Sequence, residues 1–430
     1  MQLKWVKNEE SWNPVLNKFV EIKCLYEQKL GSDSLWNYDK NVETCLEYWT
    51  RKLGNLDYIE LLKPLQLNEH DGMLLIRYGN YADVFGGEID MTPDEFWTAY
   101  DGFYMECRSV VIDIKNDYLV LTPFRKFRNL NECEETSFEN VSQRIKNAKC
   151  VEFSEKLDGS MQSARWYNGK IVMAGSMALN PAESWRLEDG YRMLTENENY
   201  INMLKDFPNE TFVFEYISQK DAHVVKYSKE QDGLYLIGIR EVITGIERPY
   251  CVVHRFAKAF NIPTAIIFDK TLDEVVSELD DKKSSEAEGF VLNIDGFKVK
   301  IKYNDYVNMH KVLSAISSIN LIITSIADDN FDDVLAKIPN AYKDRVLKIA
   351  GYVFKYIKDT EDVICNYYSS APKDDKKTFM VWVDQNVPRD KRGYVRAKYL
   401  GLKYNLIKTS SGRYLKLKDM GVESYADIYE

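Results

Sequence analysis

The sequence predicts an α+β fold in which a domain with antiparallel sheets is followed by an all-helical domain. Between about residues 151 and 310, short runs of β-branched and aromatic residues are separated by turn residues, as in antiparallel strands. These runs are VEFSEKL, QSARWY, KIVMAG, TFVFEYI, GLYLIGIRE, GFVLNID and FKVKIKY. After His310 the apolar residues recur with the period of a helix, as in NFDDVLAKIPNAYKDRVLKIAGYVFKYIKDTEDVICNYY. The change of period predicts two structurally different regions.

The residues before 151 predict helices followed by strands. Helical patterns occupy SWNPVLNKFVEIKCLYEQKL and NVETCLEYWTRKL, and strand-like alternation follows in MLLIRYGNYADVFGG and CRSVVIDIKNDYLVLTPF. The polar segment 280–288, DDKKSSEAE, is typical of a loop that enters a strand. We therefore expect one domain over residues 1–315, whose subregion 1–100 carries no recognised motif, and a helical domain over 316–430.

Composition indicates a globular protein. A chain of 430 residues with 45% hydrophobic content can bury sizeable cores. No uncharged apolar run of about 18 residues and no secretory signal is visible, so we expect a cytoplasmic protein without membrane contact. The net charge of −10 would not attract nucleic acid to the molecule as a whole. Any binding of nucleic acid must therefore use local basic patches.

The cysteines predict neither a disulfide framework nor a metal site. There are seven, widely scattered and without a Cys-x-x-Cys pair, which is typical of reduced thiols. The nearest approach to a metal site is Cys251-Val-Val-His254, which has no second half. Core packing is the favoured interpretation of that pair.

A possible nucleophile lies in Lys156-Leu157-Asp158-Gly159-Ser160, between two predicted strands. A lysine nucleophile must be partly deprotonated, which requires a pocket or neighbouring positive charge. The flanking strands can wall a pocket, and Gly159 permits a tight turn. The alternative is an ordinary hairpin turn, and the motif alone does not exclude it.

Later segments carry further groups suited to phosphoryl transfer. A carboxylate, Glu215, sits inside the apolar strand FEYI, where it is costly unless it binds something. Another, Glu288, opens the strand EGFV, and the lysines of FKVKIK alternate on one face of the next strand. Each also has an ordinary reading as a solvated or satisfied residue. Together they supply a nucleophile, acids for ribose and metal, and cations for phosphates.

The ordered set KLDGS, FEYI, LIGIRE, EGFV and KVKIK resembles the nucleotidyltransferase motifs of ATP-dependent ligases and capping enzymes. The wider resemblance is to the bacteriophage RNA ligase 1 family. It includes ECRSVV around Arg108, PFRKFRNL around Lys126, KIKYNDYVNMH, and KDDKKTFM at 373–380. The resemblance covers most of the chain from about residue 100 onward.

The resemblance implies a ligase-type nucleotidyltransferase domain over residues 1–315 that uses ATP and Mg²⁺, with Mn²⁺ as an alternative. Lys156 would attack the α-phosphate of ATP and form lysyl-AMP. The AMP would pass to an RNA 5′-phosphate, and a 3′-hydroxyl would then displace it and seal the strand. A DNA ligase or a capping guanylyltransferase would use the same lysine but would normally carry an OB-fold after the last motif. A non-catalytic nucleotide-dependent RNA-binding protein is the third alternative.

The resemblance also implies roles for individual residues. Glu215 would hold the ribose, and Glu288 with Asp158 would hold the metal. The catalytic set would be Lys156, Asp158, Lys300 and Lys302, and the last two would neutralise the α-phosphate and lower the pKa of Lys156. Arg108 and Lys126 would grip the β- and γ-phosphates or the RNA 5′ end. The ATP-binding set is Arg108, Lys126, Glu155, Lys156, Gly159, Glu215, Glu288, Lys300 and Lys302.

The chain departs from the family pattern at four places. Met173-Ala174-Gly175-Ser176 lacks the usual lysine before its glycine. Ser109 stands where glycine is usual, Arg128 where phenylalanine is common, and His223 where the family tends to carry arginine. These departures put polyphosphate and RNA contacts in question. For adenine stacking, Tyr235 and Phe290 are candidates, although core packing is favoured for both.

A basic stretch near the C-terminus predicts RNA binding. In residues 389–418, basic side chains alternate with tyrosines, a combination suited to phosphates and unpaired bases. The predicted RNA-binding residues are Arg392, Arg396, Lys398 and Lys403. The alternative, a basic helical face with half-buried tyrosines, is equally compatible with the sequence. By resemblance, the partner is RNA, as nicked tRNA or single-stranded ends, and the protein acts as a monomer in the cytoplasm, the host's if phage-encoded.

Overall fold

The structure is a computed structural model that describes residues 11–53, 59–79, 93–221, 223–308, 319–336, 340–408 and 413–421. The chain divides into two compact units, Met1–Val307 and Asn308–Glu430. The predicted boundary between 315 and 316 lies outside the described residues and stays a prediction.

The strands in the described part of the chain all belong to the first unit. They are β1 (Leu65–His70), β2 (Met73–Tyr78), β3 (Arg108–Asp113), β4 (Tyr118–Leu121), β5 (Arg128–Asn129), β6 (Val151–Lys156), β7 (Ser160–Tyr167), β8 (Lys170–Ala174), β9 (Glu210–Ile217), β10 (Gly233–Glu241), β11 (Ile267–Phe268), β12 (Gly289–Ile294) and β13 (Phe297–Lys302). They form three sheets with the orders β1-β2-β3-β4, β10-β9-β7-β8 and β11-β6-β12-β13-β5. All pairings are antiparallel except that of β13 with β5. The predicted antiparallel α+β fold is thus confirmed.

Helices flank the sheets of the first unit and form most of the described part of the second. They are α1 (Pro14–Leu30), α2 (Cys45–Leu53), α3 (Ile59–Leu62), α4 (Pro93–Glu106), α5 (Phe138–Asn147), α6 (Trp185–Thr195), α7 (Glu198–Asp206), α8 (Tyr250–Ala259), α9 (Leu272–Ser277), α10 (Ile319–Ala327), α11 (Phe331–Ala336), α12 (Asn340–Ser370), α13 (Lys376–Asn386) and α14 (Arg392–Tyr399). The predicted helices near the N-terminus and after His310 are confirmed. Those between β8 and β12 were not predicted, because they are short and lie among strand-like runs.

The subregion without motifs is packed onto the first sheet rather than separate from it. The Asn13 side chain caps α1 by accepting hydrogen bonds from the backbone N–H groups of Val15 and Leu16. The apolar face of α1, including Phe19, joins Trp49 and strand residues such as Val110 in one buried cluster. Burial of this apolar surface fixes the sheet that carries Arg108.

The other face of the first sheet packs against the second. Leu75 and Val111 of the first sheet meet Tyr167 and Val172 of the second in a shared buried cluster. The opposite face of the second sheet packs on α6, α7 and α8. These layers bring β3, β7 and β9 close to the end of β6, where Lys156 lies.

The second unit is built from helices around two buried clusters. One contains Ile323, Val346 and Val353, and the other contains Phe379 and Val395. Of the helices in the part of the chain that the structure describes, none is long and apolar enough to cross a membrane.

Candidate active site

One cavity of about 170 Å³ collects most of the predicted site residues of the first unit. Those that line it are Arg108, Glu155, Lys156, Glu215, Lys300 and Lys302. Apolar walls come from Ile237, Val291 and the rings of Phe124 and Tyr250. The cavity therefore combines apolar surface with a few convergent charges, as small-molecule sites do.

Lys156 and Lys302 share the carboxylate of Glu288. The Nζ of Lys156 donates to Oε2 of Glu288 at 2.7 Å, and the Nζ of Lys302 lies 2.9 Å from Oε1. Gly289 explains this placement, because it pairs with Lys156 on one side and Lys302 on the other. Its φ is +149°, and a Cβ there would meet the carbonyl oxygen of Ile301 at 2.1 Å. Only glycine lets the strands close up beside Glu288.

The pKa of Lys156 is raised, so the prediction that neighbouring cations lower it is wrong for this structure. Burial alone would lower the pKa, but Glu288 and Glu215 outweigh it. Burial would likewise raise the pKa of Glu288, yet Lys156 and Lys302 hold it below the ordinary value. The nearest charge to the amine is thus a carboxylate, which the order of the motifs along the sequence did not reveal.

Neighbouring cations lower the pKa of Lys300 rather than that of Lys156. Burial lowers the pKa of Lys300 well below its ordinary value, and Arg108, Lys156, Lys126 and Lys302 lower it further. Among the described residues, no carboxylate lies within ion-pair distance of Lys300. A group of cations held this way favours an anionic ligand.

Glu215 enters the cavity from β9. Its Oε1 accepts a hydrogen bond from the backbone N–H of Gly159 at 3.0 Å. A Cβ at Gly159 would meet the carbonyl oxygen of Tyr216 at 2.4 Å, so the glycine permits this approach. Burial raises the pKa of Glu215 to about 7, although Lys156 opposes the shift. At neutral pH this side chain can therefore either donate or accept a hydrogen bond.

Asp158 does not line the cavity, and its oxygens already have protein donors. Oδ1 accepts from the hydroxyl of Tyr306 and Oδ2 from the backbone N–H of Val225, each at 2.9 Å. The backbone N–H of Asp158 donates to the hydroxyl of Tyr227 at 2.9 Å. These contacts fix the turn after Lys156. A metal role for Asp158 stays a prediction.

His223 lies between two carboxylates, where a positive charge fits. Its Nε2 is 2.9 Å from Asp221, and its Nδ1 is 3.6 Å from Asp158. Burial would lower the pKa of His223, but Asp221 and Asp158 raise it above the ordinary value. A protonated histidine can therefore supply the charge of the arginine expected by resemblance.

The departure at Ser109 has a structural explanation. Ser109 has φ +62°, in the left-handed region that favours glycine, and its hydroxyl donates to the carbonyl oxygen of Ser176 at 2.8 Å. This bond ties β3 to the segment after β8 that lacks the expected lysine. Arg128 is buried at the start of β5.

Lys126 lies outside the first cavity, with its Nζ 4.4 Å from the ring centre of Trp97.

Sequence reasoning missed several cavity residues. Arg248, Tyr250 and Asn293 line it, although each lies in an inconspicuous segment. The structure packs Phe290 in the core at 1% exposure and half-buries Tyr235 against the second sheet, in agreement with the favoured core interpretation. The core-packing interpretation of Cys251 and His254 is wrong, because both side chains are exposed and Cys251 is a free thiol. The described residues contain no group of three or more candidate metal ligands.

Most of the predicted RNA-binding side chains of the second unit are in ion pairs. Arg392 and Arg396 both contact Asp384, and Lys398 contacts Glu361 at 2.6 Å. Lys403 is exposed.

The tyrosines of the same basic stretch are packed within the second unit. Tyr399 stacks on Phe379 with 4.0 Å between ring centres, and the hydroxyl of Tyr404 donates to Glu361. The arrangement favours the half-buried interpretation, while RNA binding by these residues stays a prediction.

Residues 106–306 match the model of a family described as RNA ligase, of the phage T4 RNA ligase 1 type. A putative bifunctional polynucleotide kinase/RNA ligase of Autographa californica nuclear polyhedrosis virus is 26% identical over 250 residues. The alignment covers 55% of this chain and 35% of that protein, so the chain spans about a third of the relative's length.

Similar solved structures include a Naegleria gruberi RNA ligase with PPi, at 20% identity and a TM-score of 0.33, over 40% of this chain and 55% of that one. An archaeal ATP-dependent RNA ligase is 12% identical with a TM-score of 0.40, over 84% of this chain and 100% of that one. The family match confirms the resemblance and, with the antiparallel sheets, the predicted fold class. Through residues 106–306 the chain is thus similar to the RNA ligase family of the phage T4 RNA ligase 1 type.

Proposed function

We propose that this protein is an ATP-dependent RNA ligase that joins a 5′-phosphate to a 3′-hydroxyl through lysyl-AMP and adenylylated RNA. One observation carries the proposal. Lys156, Glu215 and the cations Lys300 and Lys302 line a single cavity, with the Glu288 carboxylate against Lys156, inside the segment that matches the family. A lysine nucleophile beside acids and phosphate-binding cations is what nucleotidyl transfer requires.

In the first step, the Nζ of Lys156 attacks the α-phosphorus of ATP. A nitrogen–phosphorus bond forms, the bond to the β-phosphate oxygen breaks, and pyrophosphate leaves. The amine must give up a proton, and in the resting enzyme Glu288 and Glu215 oppose this by raising its pKa. Lys300 and Lys302 face the same cavity and can neutralise charge on the phosphates. The phosphates of ATP would thus supply the negatively charged partner that Lys300 lacks among the described residues.

The buried carboxylate of Glu288 also fits a divalent metal. Mg²⁺ is usually held by one or two carboxylates together with substrate phosphates, rather than by an all-protein cage. Glu288 would hold it, with Asp158 as a second predicted ligand, and Mn²⁺ could replace Mg²⁺. When bound, the metal would polarise the α-phosphate and offset the negative charge that keeps Lys156 protonated.

In the later steps, AMP leaves the lysine. An oxygen of the RNA 5′-phosphate attacks the AMP phosphorus, and the bond to Lys156 breaks. A 3′-hydroxyl then attacks the 5′-phosphorus of the RNA, and AMP departs. Through these steps Glu215 would hold the ribose by hydrogen bonds, a role that its mixed protonation near neutral pH permits.

A DNA ligase, a capping guanylyltransferase and a non-catalytic binding protein are the alternatives. The described part of the second unit is helical and shows no sheet of the OB-fold type, which disfavours the first two. Mixing the protein with α-labelled ATP or GTP and a divalent cation tests the proposal. We expect labelled AMP bound to protein, followed by sealing of 5′-phosphorylated RNA. Labelled GMP would indicate a capping enzyme, sealing of DNA alone would indicate a DNA ligase, and no adduct would indicate a binding protein.

Cleaved tRNA is the natural substrate that we propose, on the resemblance of the helical C-terminal region to the family's helical domain. We further propose that the protein acts as a monomer in the cytoplasm. Comparing ligation of nicked tRNA with that of a plain single-stranded oligonucleotide tests the substrate, and gel filtration tests the monomer.

A further inference from the structure

A second cavity, of about 490 Å³, adjoins the candidate active site. The two cavities share Phe127 and Lys298 as a wall. The second is lined from α4, which includes Trp97 and Gly102, and from the segment around Arg125. The subregion without recognised motifs thus contributes directly to a space beside Lys300. The resemblance gives Lys126, which lines this cavity, either the β- and γ-phosphates or the RNA 5′ end, and no role proposed above uses the rest of the lining.

The lining of this second cavity carries surplus positive charge. Four cationic side chains, Arg125, Lys126, Arg128 and Lys298, face two carboxylates. Glu247 is already paired with Lys298, and Glu135 lies 3.1 Å from Arg144, which is not part of the lining. Both carboxylates are therefore engaged, and the charges of Arg125 and Lys126 favour an anion in this cavity.

Arg125 and Lys126 are held in place without strong carboxylate partners. Arg125 is 49% exposed, and its Nε lies 3.8 Å from Glu106, a carboxylate that already binds Arg240 at 2.8 Å. A Cβ at Gly102 would meet Nη2 of Arg125 at 3.0 Å, so the glycine leaves room for the guanidinium.

Lys126 is held by aromatic rings. Its Nζ lies 4.4 Å from the ring centre of Trp97 and 5.6 Å from that of Tyr78. No described carboxylate forms an ion pair with it. Cation–π contact positions an ammonium and leaves its charge free to attract a phosphate.

The wall between the cavities is itself positively charged. The guanidinium of Arg108 lies 5.1 Å and the ammonium of Lys300 lies 4.9 Å from the ring centre of Phe127. Arg108 and Lys126, from the two sides, both lower the pKa of Lys300. An anionic chain that passes this wall would relieve repulsion on both sides.

We infer that the second cavity binds the 5′-phosphate end of the RNA strand that receives AMP. This inference rests on the proposed function and extends it. An RNA 5′-phosphate must reach AMP on Lys156 from an adjoining space, and this cavity shares the wall formed by Phe127. Its volume lies in the range of sites for nucleotide-sized ligands. Pyrophosphate leaving ATP has the same charge chemistry, so the experiment must separate the two anions.

Arg125→Ala is the test variant, because Arg125 lines the second cavity and not the first. Arg192→Ala is the matched control: Arg192 is 53% exposed, touches carboxylates and lines neither cavity. Each full-length protein is assayed for enzyme-AMP formation from ATP, and then for single-turnover transfer of AMP to 5′-phosphorylated RNA. RNA with a 5′-hydroxyl end is the substrate control.

For Arg125→Ala we expect enzyme-AMP formation within about twofold of the parent and transfer to RNA reduced about tenfold below saturation. The dependence of transfer on salt should weaken by about one ion. Arg125→Lys should recover much of the loss, since it restores the charge. Arg192→Ala should match the parent in every assay.

Two outcomes overturn the inference. If Arg125→Ala loses enzyme-AMP formation as strongly as transfer, the cavity serves the polyphosphate of ATP. If it transfers AMP as well as Arg192→Ala does, the cavity binds neither anion. Should Arg125→Ala unfold, Arg125→Gln under the same assays decides between these outcomes. Failure of the proposed function would show separately, as absence of enzyme-AMP in the parent.

Discussion

The basic side chains of the two units differ in how their charges are balanced. In the first unit, Lys300 has no described carboxylate partner and sits among other cations. In the second, Arg396 and Lys398 are each paired with a carboxylate. Uncompensated charge in a partly buried place costs stability, so its retention indicates a ligand. Paired charge at a surface indicates local structure instead.

The largest expected effect follows replacement of the proposed nucleophile. Lys156→Ala removes the atom that would bond to AMP, so enzyme-AMP should be lost completely. The variant also leaves Glu288 with Lys302 as its remaining ion-pair partner. Labelled ATP measures the loss of enzyme-AMP, and thermal unfolding measures the effect of the lost ion pair on stability. A folded Lys156→Ala protein that still takes up label would place the nucleophile elsewhere.

The second prediction compares neighbouring lysines of β13. Lys300→Met removes a cation that lacks a partner, so we expect stability to rise by about 1 kcal/mol while adenylylation falls about 100-fold. Lys298→Met instead leaves the Glu247 carboxylate without the lysine with which it is paired. This variant should lower the free energy of unfolding by about 3 kcal/mol.

Denaturant unfolding and single-turnover adenylylation measure both variants. If Lys300→Met were as destabilising as Lys298→Met, an unpaired charge could not be used to recognise the ligand site.

The third prediction uses the raised pKa of Glu215. The pKa of Glu215 is about 7 in the folded protein, against an ordinary pKa of 4.5. Between pH 4.5 and pH 7 the folded state therefore binds more protons than the unfolded state. The contribution of Glu215 to stability is therefore present below pH 4.5 and is lost as the pH rises through 7.

In Glu215→Gln this loss should disappear, so relative to the parent the variant should gain about 2 kcal/mol between pH 5 and pH 8. Urea unfolding at several pH values measures the difference. Parallel curves for parent and variant would contradict the raised pKa.

The smallest effects are expected in the second unit. Arg396→Ala breaks an exposed ion pair with Asp384 and should cost less than about 1 kcal/mol. Lys403→Ala removes an exposed charge and should leave stability and enzyme-AMP unchanged. Ligation of nicked tRNA, relative to a single-stranded oligonucleotide, should fall about twofold for Lys403→Ala. An equal fall for both substrates would indicate that this surface has no part in choosing RNA.

Much of the site was predictable because short motifs lie on strands. The alternation of lysines in β13 places Lys298, Lys300 and Lys302 on one face, and all three line the cavity. Glu288 was recognisable as an acid beside a glycine at the start of a strand. In the second unit, the same kind of pattern was ambiguous, because basic residues alternate with tyrosines both in RNA sites and on packed helices.

By itself, the sequence determined the α+β class, the helical C-terminal region and the identity of the motif residues, since period and spacing are local properties of the chain. Only the tertiary structure decided which charges meet. Strand order brings Glu288 against Lys156, although 132 positions separate them along the chain. It likewise places Lys126 on Trp97 and opens the second cavity between α4 and β13. Pairing across sheets is set by the packing of the whole core, and the direction of a pKa shift depends on that pairing.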